Sequence, residues 1–226
     1  MNKSFSIAID GPSGAGKSTL AKLCAEKLGF IYVDTGAIYR TVGLAVKNSG
    51  IGSKDEPAVS ALLPSIKISM CHDENGLQRM LLNGRDVSDD IRMPEISIYA
   101  SDVSAIASVR AFLLDMQRSL AAENSVIMDG RDIGTVVLPE ADLKIFLTAD
   151  ASERAQRRFE ELALRGVKTS YEDVFNDIVY RDTNDSSRQT APLRPADDAV
   201  IVDTTGNTLH ESFETLCKLI QERMQA

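Results

Sequence analysis

Short apolar runs recur at Phe5–Ile9, Phe30–Val33, Ser125–Met128, Leu143–Leu147 and Ala199–Val202, and segments of helical period separate them. That alternation predicts an α/β fold built on a doubly wound five-stranded parallel sheet. Three of the runs end in an aspartate and a turn-like residue: Asp10-Gly11, Asp34-Thr35 and Asp129-Gly130. Ligands of such sheets sit outside the carboxyl ends of the strands, so these carboxylates are expected to border a cleft.

The alternation breaks between about Pro64 and Pro94. Lys67–Cys71 and Leu77–Leu82 flank Asp73-Glu74-Asn75-Gly76, a hairpin signal, and Asn83-Gly84 marks a further turn before Arg85-Asp86-Val87. A small antiparallel insertion over about 64–94 is predicted, carried by a single domain whose core spans about 1–63 and 95–226. Helices are predicted at Glu95–Ala107 and Val109–Glu123. Asp150 to Glu153 form a start box for an arginine-rich helix over 151–165, which Gly166 stops; Ser170 to Asp173 open the next helix and Asn207 the last.

Between the first apolar run and the first helical pattern stand Gly11, Pro12, Ser13, Gly14, Ala15, Gly16, Lys17 and Ser18. This is a complete phosphate-binding loop in the strand–loop–helix setting it requires. Its glycines let successive backbone N–H groups curl around a phosphate chain, and the helix N-terminus adds partial positive charge. Lys17 supplies a mobile ammonium for the outer phosphates, and the Ser18 hydroxyl is placed to ligate magnesium. Thr19 follows directly, so a second hydroxyl competes for that role. The segment predicts binding of a nucleoside triphosphate.

A helix beginning near Tyr171 carries an apolar stripe of Tyr171, Val174, Phe175 and Ile178, then turns polar after Tyr180. Arg181, Asp185 and Arg188 fall at i, i+4 and i+7, on one face. Such spacing serves a solvated helix end as well as a ligand, and a nearby triphosphate site favours the ligand. Arg154, Arg157 and Arg158 share another face. On a mobile flap they would bring charge to a transferring phosphoryl group and exclude water; on a plain surface helix they would pair with Glu153, Glu160 and Glu161. Asp129 is a strand-end carboxylate of the kind that holds magnesium directly or through water. Arg40 would face the cleft if the turn after Asp34 is tight, while Asp34 and Thr35 also suit a simple capping role.

A chain of 226 residues with 43% hydrophobic and 26% charged content suffices for one well-buried domain and a modest insertion. Its net charge of −8 argues against a nucleic-acid polymer or an anionic membrane as partner. An anionic small substrate stays compatible, because Arg154, Arg157, Arg158, Arg165, Arg181, Arg188 and Arg194 crowd the last third. Cys24, Cys71 and Cys217 lack metal-like spacing and read as reduced thiols, and His72 and His210 are isolated. With no signal-like start and no apolar run of membrane-spanning length, a cytoplasmic location is expected.

Taken together, these segments resemble the bacterial cytidylate kinases, of the nucleoside monophosphate kinase fold, essentially from end to end. The residues that carry the resemblance are GPSGAGKS at 11–18, DTGAIYR at 34–40, the insertion, DGRDIGTVVLP at 129–139 and the stretch from Arg181 to Leu193. It implies transfer of the γ-phosphoryl group of ATP to CMP or dCMP with magnesium, in pyrimidine nucleotide metabolism, by a monomer. It places the insertion on the monophosphate side and makes residues 151–168 a closing lid. By matched position, Thr35, Ser101, Arg110 and Asp132 would surround the cytosine, and Arg40, Arg131 and Arg188 would hold the monophosphate. Arg181 and Asp185 would meet the ribose region, and residues 11–19 would bind ATP. Lys17, Arg131, Arg157, Arg158 and Arg188 would act on the phosphoryl group in flight.

The residue types suit that chemistry independently. A monophosphate oxygen is already anionic, so the reaction needs alignment and charge dispersal and no general base. The cytosine amine can donate to a carboxylate, whereas uracil would turn a carbonyl toward Asp132. Two alternatives stay open at the level of sequence. A kinase for shikimate, gluconate or another monophosphate would leave the insertion without an obvious use. A regulatory nucleotide switch would have no use for lid arginines, and the chain lacks the Asn-Lys-x-Asp guanine-reading motif.

Overall fold

The structure, a computed structural model, describes residues 4–74 and 76–225; Asn75, part of the expected hairpin turn, lies outside them. Strand β1 (Ser6–Asp10) leads through the phosphate loop into α1 (Lys17–Leu28), and β2 (Ile31–Asp34) leads into α2 (Thr35–Asn48) and α3 (Glu56–Leu62). The insertion is an antiparallel sheet of β3 (Ile68–His72), β4 (Gln78–Leu82) and β5 (Arg85–Asp86). Helices α4 (Pro94–Val103) and α5 (Ala107–Glu123) return the chain to β6 (Val126–Gly130) and, after a π-turn at Ile133–Val137, to β7 (Leu143–Thr148). The last elements are α6 (Ala151–Leu164), α7 (Tyr171–Ser187), β8 (Val200–Asp203) and α8 (Leu209–Gln225).

The central sheet has five parallel strands in the order β2-β6-β1-β7-β8. Alternation along its strands divides the core. Ala8, Val33 and Met128 face α2, α4 and α5, while Ile7, Ile9, Ile127, Ile145 and Leu147 face α1 and α8. Register then fixes the functional edge: Asp10 lies beside Gly130 and Asp34 beside Asp129.

Several boundaries differ from the sequence expectation for local reasons. The helix expected over Glu95–Ala107 stops at Val103, where the Ser104 hydroxyl donates to the Ser101 carbonyl oxygen (2.8 Å) and competes with the helical ladder. The next helix therefore starts at Ala107, two residues before Val109. The last helix starts at Leu209 and not at Asn207, because Thr208 and Glu211 exchange side-chain-to-backbone bonds as a capping box. Helix α7 ends at Ser187, and Arg188 is already extended, so Arg181, Asp185 and Arg188 do not share one continuous helical face.

Side chains of the insertion tie it to β2: a His72 ring nitrogen on β3 lies 3.1 Å from the Tyr32 carbonyl oxygen. Gln78 on β4 accepts from Asp34 N–H (2.7 Å) and donates to the Asp34 carbonyl oxygen (3.1 Å), so it closes on the end of β2 like an added strand. Among the described residues no single helix is long and apolar enough to cross a membrane.

Candidate active site

A cleft of about 1200 Å³ opens along the carboxyl edge of the sheet. Ser13–Thr19 line one end of it, while Gly11 and Pro12 are buried and not part of the lining. Gly16 takes φ 86°, a left-handed turn that glycine adopts without strain, and α1 starts from it with no side-chain cap. The first N–H groups of α1 are therefore left for an anion. Lys17 is buried, and its Nζ donates to the Pro12 carbonyl oxygen at 2.6 Å. Burial, reinforced by the Arg131 guanidinium, pushes its pKa down to about 7.

Asp129 closes the floor. Its carboxylate accepts from the Ser18 hydroxyl (2.8 Å) and the Tyr32 hydroxyl (2.9 Å). Burial, with Asp34 adding to it, pushes the Asp129 pKa up to about 6. This is a hard-oxygen donor pair of the kind magnesium takes when substrate phosphates and water complete its shell. Among the described residues no group of three or more His, Cys, Asp or Glu could hold a metal ion by itself. Ser18 is the hydroxyl bonded to Asp129, and its neighbour Thr19 is exposed on the cleft rim.

Asp34 caps α2 by accepting from Ala37 N–H (2.8 Å) and pairs with Arg40 at 2.7 Å. The tight turn thus aims Arg40 into the cleft by way of the capping role. The Thr35 hydroxyl donates to the Asp129 carbonyl oxygen at 2.7 Å. That contact requires Gly130, since a Cβ there would sit 2.7 Å from the Thr35 hydroxyl oxygen.

At the far end, basic and acidic side chains interlock. Arg110 pairs with Asp132 and donates to the Ser104 carbonyl oxygen (3.2 Å). Arg188 donates to the Ser104 hydroxyl (3.0 Å) and stands 3.7 Å from Asp132. Arg131 donates to Asp185 at 2.7 Å, and Ser101 donates to the same carboxylate at 3.3 Å. Burial alone would raise the Asp185 pKa; Arg131, Arg181 and Arg188 outweigh it and hold the group below the ordinary carboxylate range. Burial, then Arg131, pushes Arg181 down to about 10; burial, then Arg110, lowers Arg188. Arg40 Nε, Arg181 Nε and Arg188 Nη2 are buried with no hydrogen-bond acceptor. All three residues line the cleft, so their positive charge is gathered there, although these particular nitrogens are shielded from it.

Two sequence expectations are corrected. Arg154 is not a flap arginine: it is 5% exposed, with Nε on the Ala149 carbonyl oxygen (2.8 Å), Nη1 on the Ser13 carbonyl oxygen (2.8 Å) and Nη2 on Asp182 (2.7 Å). It braces the phosphate loop from behind. Asp10 does not border the cleft, because both its oxygens are turned to the backbone N–H groups of Ile133 and Gly134. Arg157 and Arg158 do line the cleft while pairing with Glu153 (3.2 Å) and Glu161 (2.7 Å). Arg157 also donates to the Thr204 carbonyl oxygen (3.0 Å), which brings in a loop, Thr204 to Leu209, that sequence reasoning did not single out. Its signal was the turn-rich Thr204-Thr205-Gly206-Asn207 after the fifth strand of the sheet, at the same carboxyl edge as the other loops. Tyr32 was missed as well, being read only as strand.

A phosphate loop and a cluster of arginines sharing one cleft at the carboxyl edge of a doubly wound sheet define a P-loop phosphotransferase. A solved structure of an uncharacterized protein from Eubacterium ventriosum shares the fold at TM-score 0.51 and 11% identity, covering 96% of this chain and 99% of that one. A family model described as Cytidylate kinase matches residues 7–222. The cytidylate kinase of Caldicellulosiruptor saccharolyticus is 50% identical over 217 residues, 96% of each chain. That of Leuconostoc mesenteroides is 47% identical over 220 residues, 97% of this chain and 98% of the relative. The chain belongs to the cytidylate kinase family and is an enzyme, a phosphotransferase.

Proposed function

We propose that the enzyme transfers the γ-phosphoryl group of ATP to CMP or dCMP, giving ADP and CDP or dCDP. The observation that carries this reading is the set of guanidinium side chains, Arg40, Arg131, Arg181 and Arg188, that line the same cleft as the phosphate loop. Several cations gathered in one partly desolvated cleft are costly unless an anion completes them, and a nucleoside monophosphate supplies one. The ATP phosphates lie in the loop of residues 11–19, with the nucleoside against Arg157 and the Thr204–Leu209 loop.

The CMP phosphate lies against Arg40, Arg131 and Arg188, the ribose near Arg181 and Asp185. The cytosine amine donates to Asp132, whose carboxylate Arg110 and Arg188 hold in place, with Ser101 and Thr35 beside the ring. A monophosphate oxygen attacks the γ-phosphorus in line, and the bond from that phosphorus to the β–γ bridging oxygen breaks as ADP leaves. Lys17, Arg131, Arg157, Arg158 and Arg188 disperse the charge that builds on the equatorial oxygens. Magnesium, held by Ser18 and by Asp129 directly or through water, supplies further charge neutralisation on the phosphates when bound.

The insertion forms the monophosphate side, and α6 with the following turn to about residue 168 forms the lid; the enzyme works as a monomer in the cytoplasm. The test is ADP release with ATP and magnesium, screened across CMP, dCMP, UMP, AMP, GMP and shikimate. Turnover confined to CMP and dCMP is expected. Preference for shikimate, or turnover with none of the acceptors, would overturn the proposal.

A further inference from the structure

Asp10 ends β1 one residue before the phosphate loop, yet it is not part of the cleft lining. It is 3% exposed, and its two oxygens accept from Ile133 N–H (2.7 Å) and Gly134 N–H (2.8 Å). Those N–H groups open the π-turn Ile133–Val137, directly after Arg131 and Asp132. The Asp132 carbonyl oxygen accepts from Val136 N–H (2.9 Å) and Val137 N–H (3.2 Å), which ties the residue to the turn. One carboxylate therefore links the start of the ATP-side loop to the segment that carries two substrate-facing side chains.

We infer that Asp10 is a positioning residue for the monophosphate site: it holds the turn after Asp132 in register with the phosphate loop, and so sets where Arg131 and Asp132 stand relative to the γ-phosphate. Only an acceptor on both oxygens satisfies two converging N–H donors. An amide of the same shape would point an NH₂ group at one of them, exchanging a charge-assisted bond for a donor–donor clash. A shift of the turn by a fraction of an ångström then propagates to Asp132, where alignment with the base is decided. The inference rests on the proposal that CMP occupies this end of the cleft.

The experiment is calorimetric titration of wild type, Asp10→Asn, Asp132→Asn and the double variant, with CMP and UMP and separately with ATP and magnesium. In Asp10→Asn the CMP Kd is expected to rise about 10- to 100-fold, as for loss of a charge-assisted hydrogen bond, and the preference for CMP over UMP to shrink. The ATP Kd is expected to change by less than about 3-fold, since the loop N–H groups are untouched. In the Asp132→Asn background the same change is expected to cost CMP little more, because Asp10 acts through that residue. An unchanged CMP Kd, a loss equal for CMP and UMP, or full additivity in the double variant would overturn the inference.

If Asp10→Asn does not fold, Asp10→Glu tests the same contact with the charge kept. Its extra methylene cannot hold both N–H groups, now at 2.7 and 2.8 Å, without displacing the turn. A CMP Kd raised about 3-fold or more with ATP binding intact supports the inference, and an unchanged CMP Kd overturns it. Failure of the wild type to bind CMP at all would instead sink the proposed function.

Discussion

Replacing Arg154 by Met separates a brace from a lid. The substitution keeps an aliphatic stem and removes a guanidinium whose three nitrogens bind the Ala149 and Ser13 carbonyl oxygens and Asp182. Removing one partner of a buried ion pair costs about 3–5 kcal/mol, mostly from the charge left behind. The Asp182 side chain is 25% exposed and can recover some water, so the pair contributes toward the lower end, about 3 kcal/mol. The two carbonyl oxygens each lose one hydrogen bond, at the low end about 0.5 kcal/mol apiece, which adds about 1 kcal/mol. A total of about 4 kcal/mol in a chain of this size lowers Tm by roughly 8–16 °C. ATP affinity should fall as well, because Ser13 loses the contact that fixes its carbonyl.

The assay is thermal unfolding without nucleotide, alongside kcat and the ATP Kd, with Arg157→Ala as the contrast. Arg157 is about a third exposed and pairs with an equally exposed Glu153, a pair worth at most about 1 kcal/mol, so its variant should melt within about 4 °C of wild type while losing turnover. If Arg154→Met melted like wild type but lost kcat as Arg157→Ala does, Arg154 would be acting on the phosphoryl group, and its assignment as a brace would be refuted.

Three further outcomes are expected. Lys17→Ala should abolish phosphoryl transfer while leaving the protein folded, with Tm lowered by only a few degrees, roughly the one hydrogen bond to the Pro12 carbonyl oxygen; near-normal turnover would remove the loop from the mechanism. Asp132→Asn should erode the preference for CMP over UMP by about 10-fold or more, read from kcat/KM ratios, and an unchanged ratio would make Asp132 purely a partner of Arg110 and Arg188. Nucleotide binding should also move a proton. With its pKa near 7 in the free enzyme, Lys17 is mostly neutral at pH 8, and a triphosphate favours the charged form, so ATP binding at pH 8 should take up a proton. Calorimetry in buffers of different ionisation enthalpy measures this directly; zero uptake would mean that Lys17 is already charged in the free enzyme.

The sheet was legible because its strands are short apolar runs bounded by aspartate or glycine, and because the phosphate loop fixes the direction in which the first strand enters. The insertion was legible from turn chemistry alone. Less visible was α3, although Asp55 caps it by accepting from Ala58 N–H (3.2 Å) and Pro57 stands in its first turn. What sequence could not separate was the orientation of like residues. Asp10 and Asp129 both end apolar strands, but only tertiary register decides that one meets the π-turn and the other meets Ser18. Arg154 and Arg158 likewise sit one helical turn apart, and one faces the loop behind the cleft while the other faces the cleft itself. Periodicity reports a shared face and is silent on which neighbours approach it. The acceptor-free nitrogens of Arg40, Arg181 and Arg188 were likewise out of reach of sequence, since they depend on which partners the fold withholds.

The most direct measurement follows the phosphorus. The enzyme is incubated with γ-labelled ATP, magnesium and CMP, and the products are separated, with Lys17→Ala in parallel. Label is expected in the β-phosphate of CDP with wild type and in no product with the variant. Label released as inorganic phosphate, or CDP formed without label, would contradict direct transfer between two nucleotides aligned in this cleft.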